Sequence, residues 1–335
     1  MKIAVDCMGG DFGVSATIPA IIKVLKTHAN INIIAFGDST QMQTEWNKHI
    51  GSKSKLSKKI EFRHTHEIVT MEDSPKSALK NKRESSMAMA IDSVKQNDAF
   101  AAISSGNTGA LVAISRYLLK TIEGVDRPAL VTPIPTIKNP VYIVDLGANV
   151  DCEVTHLVQF AKMTSVMLKA INGIDPKIGV LNIGTEVIKG NLVVKETIAE
   201  LQKLEMNFIG SIEGDEVFQG KADIVVCDGF VGNVALKITE GVSYLIKYWI
   251  DQESRKNIFR KISALIALPI FNGVKHRRDP RIYNGATLLG LQGVVIKSHG
   301  AADEFAFRYA IDFAIDQIEQ NVNQKIQDSV SAIIH

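Results

Sequence analysis

Residues 222–233, ADIVVCDGFVGN, decide how this chain reads. Residues 224–227 form an unbroken apolar run closed by Asp228 and Gly229, which predicts a central strand of a parallel sheet ending at its carboxyl edge, with a helix starting beyond it. In open α/β sheets ligands collect at such edges, because the first N–H groups of the following helix are unpaired and carry partial positive charge. An anion fits there. The same grammar recurs twice: residues 99–103 lead into SSGNTGA, and residues 177–183 lead into GTEVIKGN. Three strand ends thus carry a Gly-Asn pair, Gly106 with Asn107, Gly190 with Asn191 and Gly232 with Asn233. Each pair alone is ordinary punctuation, since Asn caps helices and Gly makes turns. Their convergence points to a shared anion site.

With 335 residues and 46% hydrophobic content, the chain can bury a large core as a single α/β domain, in one body or two lobes. The net charge is +2, and no basic stripe interleaved with aromatics is present, so nucleic acid is not an expected partner. Cys7, Cys152 and Cys227 are odd in number and far apart, a pattern of reduced thiols rather than disulfides or a zinc site. No run approaches the roughly 20 apolar residues of a spanning helix, and the N-terminal apolar run is too short for a signal peptide. A soluble, cytoplasmic chain is expected.

The opening strand, residues 2–7, runs into MGGDFG, where Gly9, Gly10 and Gly13 allow a tight turn. The spacing is not that of a dinucleotide fingerprint, so a nicotinamide dehydrogenase is disfavoured and no cofactor is expected. Repeated βα units follow. Residues 60–66 read as a strand with His64 and His66 on one face, without a third ligand nearby for a metal. The basic stretch 76–83 precedes a helix from Ser85 and could draw an acidic partner. After Asn233 the pattern changes to a helical hairpin over residues 234–282. Its apolar stretch ISALIALPIF, residues 262–271, lies between Arg255, Lys256, Arg260 and Lys261 on one side and Lys275, His276, Arg277 and Arg278 on the other. Leu265, Ile266, Leu268, Ile270 and Phe271 at an apolar tip suit either an interfacial contact with anionic lipid or a second subunit. Residues 284–291 are expected to be helical, 294–297 the last core strand, and 304–320 a closing amphipathic helix.

The segments DCMGGDFG, SSGNTGAL, VDRPAL, DLGANVDC, NIGTEVIKGN, ADIVVCDGFVGNVALK and GVVIKSHGAADEFAF resemble, in order and over nearly the whole chain, the PlsX family of phosphate acyltransferases. That resemblance implies a Rossmann-like three-layer α/β sandwich with a mostly parallel sheet, similar to isocitrate and isopropylmalate dehydrogenases and to phosphotransacetylases. It implies transfer of a long acyl chain from acyl carrier protein to inorganic phosphate, giving acyl phosphate for phospholipid synthesis. It further implies a homodimer in loose contact with the inner face of the cell membrane, and a membrane glycerol-phosphate acyltransferase as recipient of the product. Cys7, Asn284, Thr287 and Asp215 depart from the pattern.

Attack of phosphate on a thioester needs a bound anion and donors for the developing oxyanion, but no serine or cysteine nucleophile. Orientation can supply roughly 7 to 11 kcal/mol, and each oxyanion donor roughly 3 to 4. Lys189 and Asn233 are therefore expected to be catalytic. Ser105, Asn107, Thr108, Gly109, Asp228, Gly232 and His299 are expected to bind phosphate or thioester. The competing readings are a phosphotransacetylase-like enzyme using coenzyme A thioesters and a non-catalytic membrane scaffold for the carrier protein.

Overall fold

The computed structural model describes residues 1–335 apart from 51–53, 187, 278 and 335. Its strands are β1 (Lys2–Asp6), β2 (Asn32–Gly37), β3 (Ile60–His64), β4 (Ala101–Ser104), β5 (Ala129–Ile134), β6 (Val141–Val144), β7 (Ile178–Leu181), β8 (Phe208–Ile212), β9 (Ile224–Val226), β10 (Ala286–Leu289) and β11 (Val294–Lys297). They form one sheet in the order β3-β2-β1-β4-β11-β10-β5-β6-β9-β7-β8. Between them run α1 (Val14–Thr27), α2 (Ser39–Ile50), α3 (Pro75–Asn81), α4 (Ser86–Lys95), α5 (Thr108–Leu119), α6 (Val154–Asn172), α7 (Leu192–Leu201), α8 (Gly214–Val217), α9 (Gly229–Arg255), α10 (Ile258–Arg277), α11 (Glu304–Glu319) and α12 (Val322–Ile334).

Side chains that alternate along each strand feed helix layers on both faces. Val295 joins Ala102 and Leu288 beneath Ile91 of α4 and Leu111 and Ile114 of α5. Its neighbours Val294 and Ile296 turn the other way, with Ile3 and Ile103, onto Ile21 of α1 and Ile311 of α11. Farther along that second face, Val131, Val144 and Val226 are covered by Phe160 and Met167 of α6 and by Val322 and Ile326 of α12. The result is three layers, helix, sheet and helix.

The sheet is mostly parallel, with a reversal at its centre. β10 is antiparallel to β11 and to β5, and β5 is antiparallel to β6. The two parallel blocks, β3-β2-β1-β4-β11 and β6-β9-β7-β8, consequently run in opposite directions and open their carboxyl ends on opposite edges. This corrects the expectation of a helix over residues 284–291. Gly285 and Gly290 have φ of 126° and 89° and confine the run to ATLL. That is too short for a stable helix, and all four residues are buried between ladders on both sides. The flanking strand β5 carries Pro133.

At the other extreme α9 and α10 are long and expose most of their surface. The bend between them falls at residues 256–257, so residues 262–271 lie within α10 rather than at a turn. Pro269 sits inside that helix. Among the described residues no helix is long and apolar enough to cross a membrane.

Candidate active site

At one edge the neighbouring strands β6, β9 and β7 end in register, with Val144 and Val180 both beside Val226. The loop after β6 wraps the Asp145 carboxylate, which accepts from Leu130 N at 2.9 Å, Ala148 N at 3.2 Å, and Asn149 N and Nδ2 at 2.7 and 2.9 Å. Burial pushes its pKa up, while these donors act in the opposite direction. α9 starts hard against this loop. A Cβ on Gly232 would lie 2.0 Å from the Asp145 carbonyl oxygen, and one on Gly229 would lie 2.5 Å from that of Asn149. Glycine alone lets the helix begin so close to the strand ends.

At the opposite edge the ends of β1, β4 and β11 are tied together. Asp6 accepts from Ser104 Oγ at 2.6 Å and from Gly9 N at 3.2 Å, and Ser105 Oγ donates to Gly9 O at 2.8 Å. Gly10 adopts φ 77°, and a Cβ there would meet Ser105 Oγ and Gly300 O within 2.7 Å. Asn284 binds the β11 end, donating to Ser298 Oγ at 2.9 Å and accepting from His299 N at 2.9 Å. Lys297, buried to 9% exposure, donates to Ser105 O at 3.4 Å and to the Ser298 carbonyl.

The two edges communicate along α9. Asn233, Lys237 and Glu240 lie at i, i+4 and i+7, on one helical face and within about 10 Å of rise. The first is beside Gly147, whose added Cβ would lie 3.6 Å from Asn233 Cβ. The last reaches His299, with Glu240 Oε1 3.5 Å from His299 Nε2, and also holds Lys237 at 2.8 Å. The Lys237 charge bears on Lys297. One helical stripe thus runs from the β6 and β9 ends to the β4 and β11 ends.

The family model described as "Fatty acid synthesis protein" matches residues 1–325. A phosphate acyltransferase of Methylococcus capsulatus is 44% identical over 332 residues, spanning 99% of this chain and 97% of that protein. One of Alkalilimnicola ehrlichii is 45% identical over 335 residues, spanning 100% and 97%. The chain belongs to the PlsX family of phosphate acyltransferases. It is an enzyme of the transferase class, and its reaction is acyl transfer to phosphate. In fold, this phosphate acyltransferase is similar to a phosphotransacetylase from Streptococcus pyogenes, with TM-score 0.63, 18% identity, and 95% and 94% of the two chains covered. It is also similar to a 4-hydroxythreonine-4-phosphate dehydrogenase from Klebsiella pneumoniae, with TM-score 0.54, 12% identity, and coverage of 94% and 98%.

The three asparagines that mark strand ends in this acyltransferase have separate employments. Asn107 caps α5, accepting from Ala110 N at 3.0 Å, while its amide donates to the carbonyls of Thr70, Met71 and Asp73. Asn191 caps α7 through Val194 N at 2.9 Å. For α9 the cap is Asp228, which accepts from Val231 N at 2.9 Å. Asn233 is therefore left exposed, with no side-chain hydrogen bond among the described residues. Lys189 likewise has no ion partner among them. It stands on the exposed loop after β7, packed on Gly184 and near the exposed Ile183 and Ile188. Ser105 is buried and spent on Gly9, Thr108 and Gly109 open α5, and Gly232 provides the close approach to Asp145.

All three thiols are poorly disposed to act as nucleophiles. Burial raises Cys7 and Cys227 well above the ordinary thiol range and pushes Cys152 up to about 11. His64 and His66 face each other, Nε2 to Nδ1 at 3.1 Å, and no metal-ligand cluster occurs among the described residues. Sequence reading passed over Lys297, Lys237, Glu240 and Asn149. Only Lys297 carried a signal, as a cation closing the apolar run VVIK.

Leu265 and Ile266 on α10 are 64% and 75% exposed, Leu268 and Ile270 45% and 70%. The Phe271 side chain and those of residues 275–278 lie outside what is described.

Proposed function

We propose that the protein transfers a long-chain fatty acyl group from acyl carrier protein to inorganic phosphate, forming acyl phosphate for phospholipid synthesis. The observation that carries this reading is the uncommitted Asn233 on the α9 stripe, in a chain whose thiols are all held protonated. A phosphate oxygen attacks the thioester carbonyl, the C–O bond forms, and the collapsing tetrahedral oxyanion expels the carrier's thiolate, which takes a proton from water. Asn233 donates to the oxyanion, and Lys189 neutralises the charge that phosphate brings. No covalent enzyme intermediate is required, because phosphate is itself the nucleophile and thiolate a good leaving group. The groups at the ends of β4 and β11, His299 among them, line the route by which the extended carrier arm reaches the α9 stripe. The basic stretch with Lys76, Lys80 and Arg83 supplies a surface suited to an acidic carrier. The test is phosphate-dependent loss of acyl groups from acyl carrier protein, with acyl-coenzyme A as a parallel donor. Turnover of the carrier substrate at least tenfold more efficient than that of coenzyme A supports the proposal. A preference for coenzyme A assigns the protein to phosphotransacetylase-like chemistry, and no phosphate dependence with either donor defeats the reading.

The proposal extends to an isocitrate/isopropylmalate dehydrogenase-like form of the fold, a homodimer and a peripheral seat on the cytoplasmic face of the membrane, from which product passes to a glycerol-phosphate acyltransferase. Its support is the apolar surface of α9 and α10, including the exposed Ile246, Trp249, Leu265 and Ile266. Changing Leu265 and Ile266 together to Glu is expected to weaken binding to anionic vesicles at least tenfold, since each aliphatic chain buried contributes up to about 1.5–3 kcal/mol. Turnover of soluble substrate should be unaffected. Unchanged vesicle binding would transfer this face of α10 to a second subunit.

A further inference from the structure

We propose that Lys297 is an anion ligand of this enzyme, holding a phosphoryl group between the end of β11 and the α9 stripe. The inference rests on the phosphate acyltransferase reading and adds to it a residue that sequence motifs alone did not single out.

Lys297 is buried, yet no carboxylate contacts it among the described residues. A lysine ammonium has three donors. Two are directed at the carbonyls of Ser105 and Ser298, and these neutral acceptors leave a full positive charge uncompensated inside the protein. Charges in such a position are ordinarily paired or coordinated.

The surroundings narrow the choice of partner. Asp6 and Asp11 influence Lys297 only at longer range, and Asp6 is occupied by Ser104 and the N–H groups of Met8 and Gly9. From α9 comes Lys237, a second cation, whose own counter-ion Glu240 is shared with His299. A buried cation without a carboxylate partner, within reach of the charge of a second cation on α9 and with the nearby acid already divided between Lys237 and His299, describes a receptor for an anion. The ligand class is a phosphoryl oxyanion. It comes either from free phosphate, one helical turn from Asn233, or from the phosphodiester of the carrier's arm.

Burial together with Lys237 brings the Lys297 pKa down to about 8. Below pH 8 the Lys297 ammonium is charged and ready to bind; above it that charge is lost. The sign for folding is opposite. An unfolded lysine stays protonated to about pH 10.4, so between about pH 8 and 10 the unfolded chain binds more protons and this residue makes stability rise with pH. Anion affinity and stability should therefore diverge over that interval.

The decisive experiment is Lys297→Met, which removes the charge and keeps the volume. In the wild-type enzyme inorganic phosphate should raise the melting temperature, and in Lys297→Met that shift should vanish. With acyl carrier protein as donor, a KM for phosphate raised at least tenfold at unchanged KM for the carrier identifies free phosphate as the ligand. A tenfold rise in the carrier KM alone identifies the phosphodiester. Unchanged values of both, or a fall confined to kcat, overturns the inference while leaving the wild-type reaction, and so the broader reading, intact. Should Lys297→Met not fold, phosphate affinity of the wild-type protein measured from pH 7.5 to 9.5 serves instead. Phosphate is a dianion over nearly all of that range. A loss of at least tenfold centred near pH 8 supports Lys297, and a flat profile overturns it.

Discussion

Asn233→Ala is expected to lower turnover about 100- to 1000-fold, the usual effect of deleting one preorganised donor to a developing oxyanion. The melting temperature should stay within about a degree, because the side chain is exposed and makes no hydrogen bond among the described residues. Its neighbours on the sheet edges give the contrast. Asn107→Ala would remove the α5 cap and three carbonyl contacts, so it should cost stability, of the order of 0.5–2 kcal/mol for the cap alone, before it costs chemistry. Lys189→Ala should show a loss comparable to that of Asn233→Ala, and Lys189→Arg should recover part of it if charge is what matters. Steady-state turnover of acyl carrier substrate at saturating phosphate, beside thermal melts of each variant, is the measurement. Near-normal rates in both Asn233→Ala and Lys189→Ala would sink the assignment of the catalytic pair.

Gly232→Ala should be the most damaging of the single-methyl additions. The new Cβ would lie 2.0 Å from the Asp145 carbonyl oxygen and 3.0 Å from Cys227 Sγ, so backbone has to give way on one side. Overpacking of this kind typically costs about 1–3 kcal/mol, and an obstacle made of main chain rather than of a flexible side-chain tip puts the expectation at about 3. For a chain of this size, with an unfolding entropy of about 2.1 cal/mol/K per residue, that is a fall in Tm of roughly 4 °C. Turnover should fall too, since displacement of α9 moves Asn233 with it. The control is Gly241→Ala farther along α9, where nothing lies within 4 Å of the added carbon. There alanine should be neutral or stabilise by about 0.5–1 kcal/mol. Identical melting curves for wild type and Gly232→Ala would mean that α9 does not start where it is described.

The outer architecture was legible because its signals are local. VVIK at β11 and IVV at β9 are apolar runs bounded by polar turns, and the helices that follow announce themselves through Asp303 and Asp228 as caps. The centre of the sheet was not legible. ATLL at β10 has no period of its own, since a strand paired on both sides and buried on both faces needs no polar alternation, and its antiparallel direction is set by partners far away in sequence. α12 was missed beyond the Asn321 turn, at φ 50°. In the candidate site, the Gly-Asn pairs follow strand ends that the sheet places on opposite edges, Asn107 after β4 and Asn191 and Asn233 after β7 and β9, and sequence could not say which asparagine was spent on capping. That depends on whether another residue takes the cap, as Asp228 does for α9. Nor could sequence show that Glu240 would arrive at His299, because the meeting depends on the length and direction of α9 across the fold.

The reversal at β5 and β10 has a bearing on how such a protein can be divided. On the site proposed above, neither parallel block holds the reaction centre alone: one supplies the glycine turns and the end of β11, the other the strand end from which Asn233 projects, and α9 runs between them. Because β10 and β11 return to the first block after β9, no single cut in the sequence separates the two blocks.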